Sequence, residues 1–239
     1  MSRHSRESGN PTFSLPGLGY PRPMQLDRDG AQFFPAAFGP AEVAALEALL
    51  SLPANRPGVR LGPAPALAAR IGPADSVATS LLGPAARAVG AKLFDKTPAR
   101  NWALGWHQDR TIPVRERRDV PGFGRWTVKS DIPHCVPPFE ILERSLTLRI
   151  HLDPAGEANA PLLVAPGSHR LGPVAETDIA AAVSRLGTKA CLAEAGDVWA
   201  YSTPILHASE RARAPGRRRI LQLLYSADTL PAGLGWLPV

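Results

Sequence analysis

The chain has 239 residues, 44% hydrophobic and 20% charged, the balance of a folded globular protein rather than a disordered or membrane-embedded one. No segment has the uninterrupted apolar length of a transmembrane helix, no basic start precedes an apolar leader, and the isolated Cys135 and Cys191 argue against a disulfide scaffold or a cysteine zinc site. The expectation is a cytoplasmic protein with inert cysteines and no membrane partner. Its net charge of +6 gathers in residues 115–118 and 211–219, which lack interleaved aromatics and read as solvated loops, not as a nucleic-acid interface.

Residues 1–22 are polar, then rich in Pro and Gly, and predict a flexible tail ahead of a single domain over 23–239. Residues 39–53 predict a helix, with Pro40 in its first turn and Pro53 as its stop. A second helical region is predicted over 74–94, in two pieces because Gly83-Pro84 breaks it. From about residue 92 the texture changes to short strands between turn residues: 91–97, 101–109, 145–153, 161–168, 191–196, 197–203 and 218–226. Seven strands after a helical start predict a mainly β protein with flanking α-helices, a sandwich or jelly roll. In 145–153, Leu146, Leu148, Ile150 and Leu152 alternate with Ser145, Thr147, Arg149 and His151, so one face packs and the other meets solvent or a wet cavity. Residues 111–144 are rich in breakers and predict an irregular lid or binding loop, with His134 exposed.

His107 and Asp109 stand two apart, and on a strand such residues share a face and reach one ion together. His207, at the end of an apolar stretch, is the candidate third ligand. Two imidazoles and one carboxylate suit a mononuclear non-haem iron(II) oxygenase, and zinc satisfies the same count. Eleven residues after His207, Arg218 opens a strand, and its guanidinium fork suits the distal carboxylate of a dicarboxylate cosubstrate, with Ser209 adding a hydroxyl. Zinc hydrolases have no use for such an arginine. Its neighbours Arg217 and Arg219 read as surface residues. His169, in the Pro166-Gly167-Ser168 turn, reads as shaping its loop, and Asp197 as a turn residue.

The stretches "WHQD" (106–109), "NAPLLVAPGSHRLG" (159–172) and "AGDVWAYSTPILHAS" (195–209), with the trailing arginine, resemble the phytanoyl-CoA dioxygenase (PhyH) family of Fe(II)- and 2-oxoglutarate-dependent oxygenases, over about residues 92–230. The resemblance implies a double-stranded β-helix, a cupin-like jelly roll. It implies His107, Asp109 and His207 as iron ligands, Arg218 and Ser209 on the 2-oxoglutarate C5 carboxylate, and contacts from Lys96 and Trp126 to cosubstrate or substrate. It further implies a dioxygenase using Fe(II), 2-oxoglutarate and O2 to hydroxylate an unactivated C–H bond, with release of succinate and CO2. Asp109 fills the position that related halogenases leave empty, which favours hydroxylation. The substrate is expected to be a small molecule, and the arginines of 111–144 lean toward an anionic one. A non-catalytic or zinc-binding cupin-like protein is the alternative.

Overall fold

The computed structural model describes residues 23–50 and 58–239; the predicted tail over 1–22 and the helix stop at Pro53 lie outside them. A short helix α1 (Leu26–Asp29) leads into strand β1 (Ala31–Phe34) and helix α2 (Pro40–Leu49). Pro40 supplies a helix-ready φ, and the Glu42 carboxylate accepts the free Gly39 N–H at 2.6 Å, which satisfies one orphan donor of the first turn. After β2 (Gly58–Leu61) and α3 (Pro65–Ala68), helix α4 (Gly72–Leu82) ends at Gly83, whose φ of +84° a side chain would resist.

There the structure corrects the second helical prediction. Residues beyond Gly83-Pro84 form not a second helix but strand β3 (Arg87–Lys96), in which Ala91 and Leu93 enter the apolar core while Lys92, Phe94 and Lys96 take the other face. Alternation with period two decided the outcome over local helix propensity. Next come β4 (Leu104–His107), β5 (Ile112–Pro113), β6 (Gly124–Lys129), β7 (Ile132–Val136), α5 (Phe139–Glu143) and β8 (Ser145–His151). The chain continues through β9 (Leu162–Val164), α6 (Ile179–Leu186), β10 (Lys189–Cys191), β11 (Val198–Ser202), β12 (His207–Ser209) and β13 (Arg218–Ser226).

Two antiparallel sheets build the jelly roll. The larger has the order β1-β11-β8-β13-β3-β2 and the smaller the order β10-β9-β12-β4. Their inner faces meet where Trp199 and Tyr201 of the larger sheet pack on Leu162, Val164 and Cys191 of the smaller. Residues 111–144, expected to be irregular, instead form a third sheet, β5-β7-β6, and the short α5. This unit has its own apolar cluster, including Ile112, Val114, Cys135, Ile141 and Trp236. The hairpin is held by Ser130 and Asp131, both at positive φ, a turn signal that carries no glycine to announce it.

The outer face of the large sheet is the main core. Leu146, Leu148, Ile150, Val198, Ala200, Leu221 and Leu223 pack against Val43 and Leu46 of α2, Leu67 of α3, and Ala74, Val77 and Ala78 of α4. A buried Leu or Ile side chain there contributes about 1.5–3 kcal/mol. Arg219, expected at the surface, is mostly buried on this side: it pairs with Asp153 at 2.6 Å and Glu47 at 2.5 Å and so pins β13 to α2. Arg217 does stay largely exposed while pairing with Asp95. Leu148 is fully buried; Leu148→Ala is expected to lower the unfolding free energy by about 2–5 kcal/mol, measured by urea denaturation.

Candidate metal centre and anion cavity

His207 of β12 pairs directly with His107 of β4, so the register itself sets two imidazoles opposite one another, with ring centroids 4.2 Å apart. Asp109, two residues on, returns to the same face. Ligand atoms of His107, Asp109 and His207 all lie within 4.8 Å of one another, and they form the one cluster of this kind among the described residues. That spacing suits a single cation. The tautomers suit it as well. His107 Nδ1 lies 2.8 Å from the Gly105 carbonyl and His207 Nδ1 lies 2.9 Å from that of Ile205. A carbonyl only accepts, so each Nδ1 carries the proton and each Nε2 keeps its lone pair for a metal. Burial is the main cause that lowers His207 to about 4, so it is neutral at physiological pH and ready to ligate. Burial pushes the Asp109 carboxyl upward, but the surrounding positive charge, that of Lys92 first and Arg60 also, outweighs it and holds the group well below the usual carboxylate range.

Between the two β4-side ligands, Gln108 faces the opposite way, and it was missed in the sequence. Its amide donates to the carbonyls of Gly172 at 3.0 Å and Pro204 at 2.8 Å, while its Oε1 accepts the Val174 N–H at 2.9 Å. It thereby ties the ligand pair to the segment that delivers His207. Ser168 braces the other side: its hydroxyl donates to Ala165 O and accepts Leu206 N–H at 2.8 Å, one residue before His207. His169, as the turn implied, stands outside the cluster against Gly30, where an added Cβ would come within 2.4 Å of its Nδ1. Asp197 is the expected turn residue, accepting the N–H groups of Ala36 and Glu194.

A cavity of about 360 Å3 opens on the triad, bounded also by Arg149, Gln222, Trp102, Phe94 and Ser209. The polar face of β8 therefore looks into this interior, which settles the choice between solvent and cavity. Beside the lining residue Ser209, Arg218 pairs with Lys96 across β13 and β3, and Arg218 and Ser209 both donate to the Ala160 carbonyl. Lys96 is fully buried; its Nζ donates to the carbonyls of Trp102 and Glu210, both at 2.7 Å, and lies over the Trp102 ring. Arg149 donates to Gln222 at 3.0 Å. Among the described residues no carboxylate pairs with Lys96, Arg149 or Arg218. The Nε atoms of Arg149 and Arg218 and both ring nitrogens of His151 are buried without a hydrogen-bond partner. Such unmet polar groups are costly, and the two arginine Nε–H donors suit acceptor oxygens of an anionic ligand. Trp126 is not brought here: it packs on the apolar cluster of the third sheet with Arg117 over its ring. His134, expected to be exposed, is buried, with its Nδ1 on the Ile132 carbonyl at 2.9 Å.

The family profile described as phytanoyl-CoA dioxygenase (PhyH) matches residues 68–220. EctD from S. alaskensis, crystallised with 2-oxoglutarate and 5-hydroxyectoine, is 22% identical, with a TM-score of 0.62 over 84% of this chain and 73% of its own. AviO1 from Streptomyces viridochromogenes Tue57 is 20% identical, with a TM-score of 0.61 over 87% of this chain and 92% of its own. SnoN, described as a non-heme alpha ketoglutarate dependent epimerase from nogalamycin biosynthesis, is 14% identical, with a TM-score of 0.60 over 90% of this chain and 89% of its own. No curated protein matches the sequence. At these identities the structural likeness establishes the fold, the jelly roll expected from the sequence. Among the described residues no helix is long and apolar enough to cross a membrane.

Two predictions follow from the geometry. Gln108→Ala is expected to weaken metal binding by about 10–100-fold, read by titration with Ni(II). Burial, then Arg218 and Arg149, lower Lys96 from 10.5 to about 8. The unfolded chain therefore binds more protons between these values, and stability rises as pH climbs through that window, with the full cost of the buried charge present below it. Thermal denaturation from pH 8 to 10.5 is expected to show that rise in the native chain and a flatter profile in Lys96→Met.

Proposed function

This chain belongs to the phytanoyl-CoA dioxygenase family, and on that premise we propose that its cavity hydroxylates an unactivated C–H bond of a small molecule with release of succinate and CO2. The enzyme is an Fe(II)- and 2-oxoglutarate-dependent oxygenase; the reaction type and the roles of individual residues are the proposal. The observation that carries it is a two-imidazole, one-carboxylate cluster on a cavity whose lining residues Ser209 and Trp102 adjoin the buried Arg218 and Lys96, neither of which has a carboxylate partner among the described residues.

His107 and His207, through Nε2, and Asp109 would hold the iron. Fe(II) held there would supply the O2 chemistry for oxidative decarboxylation of 2-oxoglutarate. Arg218 would grip the C5 carboxylate with its fork, helped by the Ser209 hydroxyl, and the buried Lys96 would add a second charge on the same side. Trading the Ala160 carbonyl for a carboxylate gives Arg218 a charged partner in a dry site, where that exchange is favourable. Arg149, held by Gln222 and lying over the Phe94 ring, would border the cosubstrate's flank. Trp102 and Phe94 narrow the cavity and limit bulk water around the reacting atoms. Asp109 occupies the third ligand position with a carboxylate, which favours oxygen transfer over halide transfer.

Removing the guanidinium while leaving the triad intact separates the two halves of this reading. Arg218→Ala is expected to raise the 2-oxoglutarate concentration needed for succinate formation by about 30-fold or more while iron uptake stays near native. Succinate assays and metal analysis of the same anaerobic preparation check it; normal turnover at low cosubstrate would remove Arg218 from this role.

A further inference from the structure

The rung that crosses the large sheet beside the triad holds more positive charge than a cosubstrate anchored at Arg218 and Lys96 uses. Across β8, β13, β3 and β2, Arg149 pairs with Gln222, Gln222 with Lys92, and Lys92 with Arg60. Directly paired residues share a face, and all four border the same cavity. Like charges placed opposite one another in a ladder repel, yet here Lys92 faces Arg60. A third cation joins them from the third sheet. Lys129 sits at the hairpin end of β6, its Nζ donating to Thr111 at 3.0 Å, and the Arg60 N–H reaches Ser130 of the same hairpin. Burial together with the charges of Arg60 and Lys92 lowers Lys129, and Arg60, Lys129 and Lys92 all add to the lowering of His134, so these groups feel one another.

The two arginines that flank Arg218 are matched. Arg219 has Asp153 and Glu47, and Arg217 has Asp95. In this cluster the one carboxylate within reach is Asp109, 3.9 Å from Lys92, and it is spoken for by the proposed metal. Arg60 and Lys129 make no ion pair among the described residues, the adjoining segment 51–57 contains no acidic residue, and Glu176, which shares an outer groove with Lys129, does not pair with it. The Arg60 Nε is buried without a partner. From here a small recess of about 40 Å3 extends beyond Asp109, with His134, Thr147 and Thr203 as polar groups and Ile132 and Leu224 as apolar walls.

We propose that Arg60, Lys92 and Lys129 form a binding site for the anionic end of the substrate, which makes that substrate a small organic oxyanion, a carboxylate or a phosphate ester. This deepens the oxygenase reading and rests on it. The site is distinct from the cosubstrate anchor: Lys92 and Lys96 are four residues apart on β3, about 13 Å along the strand, and Lys92 lines the cavity while Lys96 does not. An anion held at the first and a dicarboxylate at the second would bring an intervening carbon of the substrate near the triad. The charge of the rung would be offset in the loaded enzyme and not in the empty one.

The test uses the full chain and two probes, inorganic phosphate and acetate, titrated calorimetrically with and without saturating 2-oxoglutarate. One site is expected to persist when 2-oxoglutarate is saturating, and the tighter probe tells phosphate ester from carboxylate. Arg60→Gln with Lys129→Gln is expected to weaken that site by about tenfold or more and to leave 2-oxoglutarate affinity unchanged, with Arg60→Gln and Lys129→Gln alone intermediate. Because repulsion is relieved, the double variant is expected to melt no lower than the native chain, and the probe to raise the native melting temperature more than the variant's. Equal binding by native and double variant, or no binding of either probe to the native chain, overturns the proposal. If 2-oxoglutarate does not bind but the probes still separate native from variant, the oxygenase reading fails and the anion site stands.

Discussion

His207 lies directly opposite His107 in the β12–β4 ladder, and the rest of the centre is arranged around that pairing. Because side chains alternate along a strand, a slip of one residue in the pairing would put His207 on the opposite face from His107 and Asp109. The register is therefore guarded from several directions. Gln108 clamps the strand between the ligands to the Pro204 and Gly172 carbonyls, and Ser168 holds Leu206 from the other side. The carbonyls of Gly105 and Ile205 fix the ring tautomers. Most of these contacts are buried and the Gln108 and Ser168 ones join segments far apart in the chain, so the ligand set is held by the fold itself.

The larger sheet divides the work between its faces. Outside, leucines, valines and alanines pack on α2, α3 and α4 and supply the stability. Inside, Arg218, Lys96, Arg149 and the Lys92–Arg60 pair stand where a dry core would hold apolar residues. Unpaired interior charge is expensive, and the apolar outer face carries that cost in the free protein. What the fold gains is a cavity lined by Arg60, Lys92 and Arg149 beside the triad.

Much of this was legible in the residues themselves, but unevenly. The 145–153 alternation gave β8 with its two faces, and the His-x-Asp pair, late histidine and arginine eleven residues on named the centre. Those signals are local or depend on order along the chain. The Arg149–Gln222–Lys92–Arg60 rung was invisible because its members come from four strands, and register between distant strands leaves no trace in spacing. Residues 111–144 misled for another reason: their prolines and glycines sit at the ends of short strands, and the tight turn is made by Ser130 and Asp131. Once that hairpin folds against Arg60, His134 is buried rather than exposed, and Trp126 turns to the third sheet's own cluster. The break at Gly83-Pro84 was seen, but what followed it was a strand because β3 had partners on both sides.

The position of β13 has a consequence for how the polypeptide is made. It is the last strand in the chain, yet it sits between β8 and β3 in the middle of the large sheet. Until residues 218–226 emerge from the ribosome, β3 and β8 each present a bare edge with the hydrogen-bonding groups that β13 will later take. Such edges invite pairing with other chains, so the nascent protein passes through an aggregation-exposed interval that lasts until residues 218–226 have been made. Arg218 heads that closing strand, so sheet assembly and the burial of its guanidinium happen in one event.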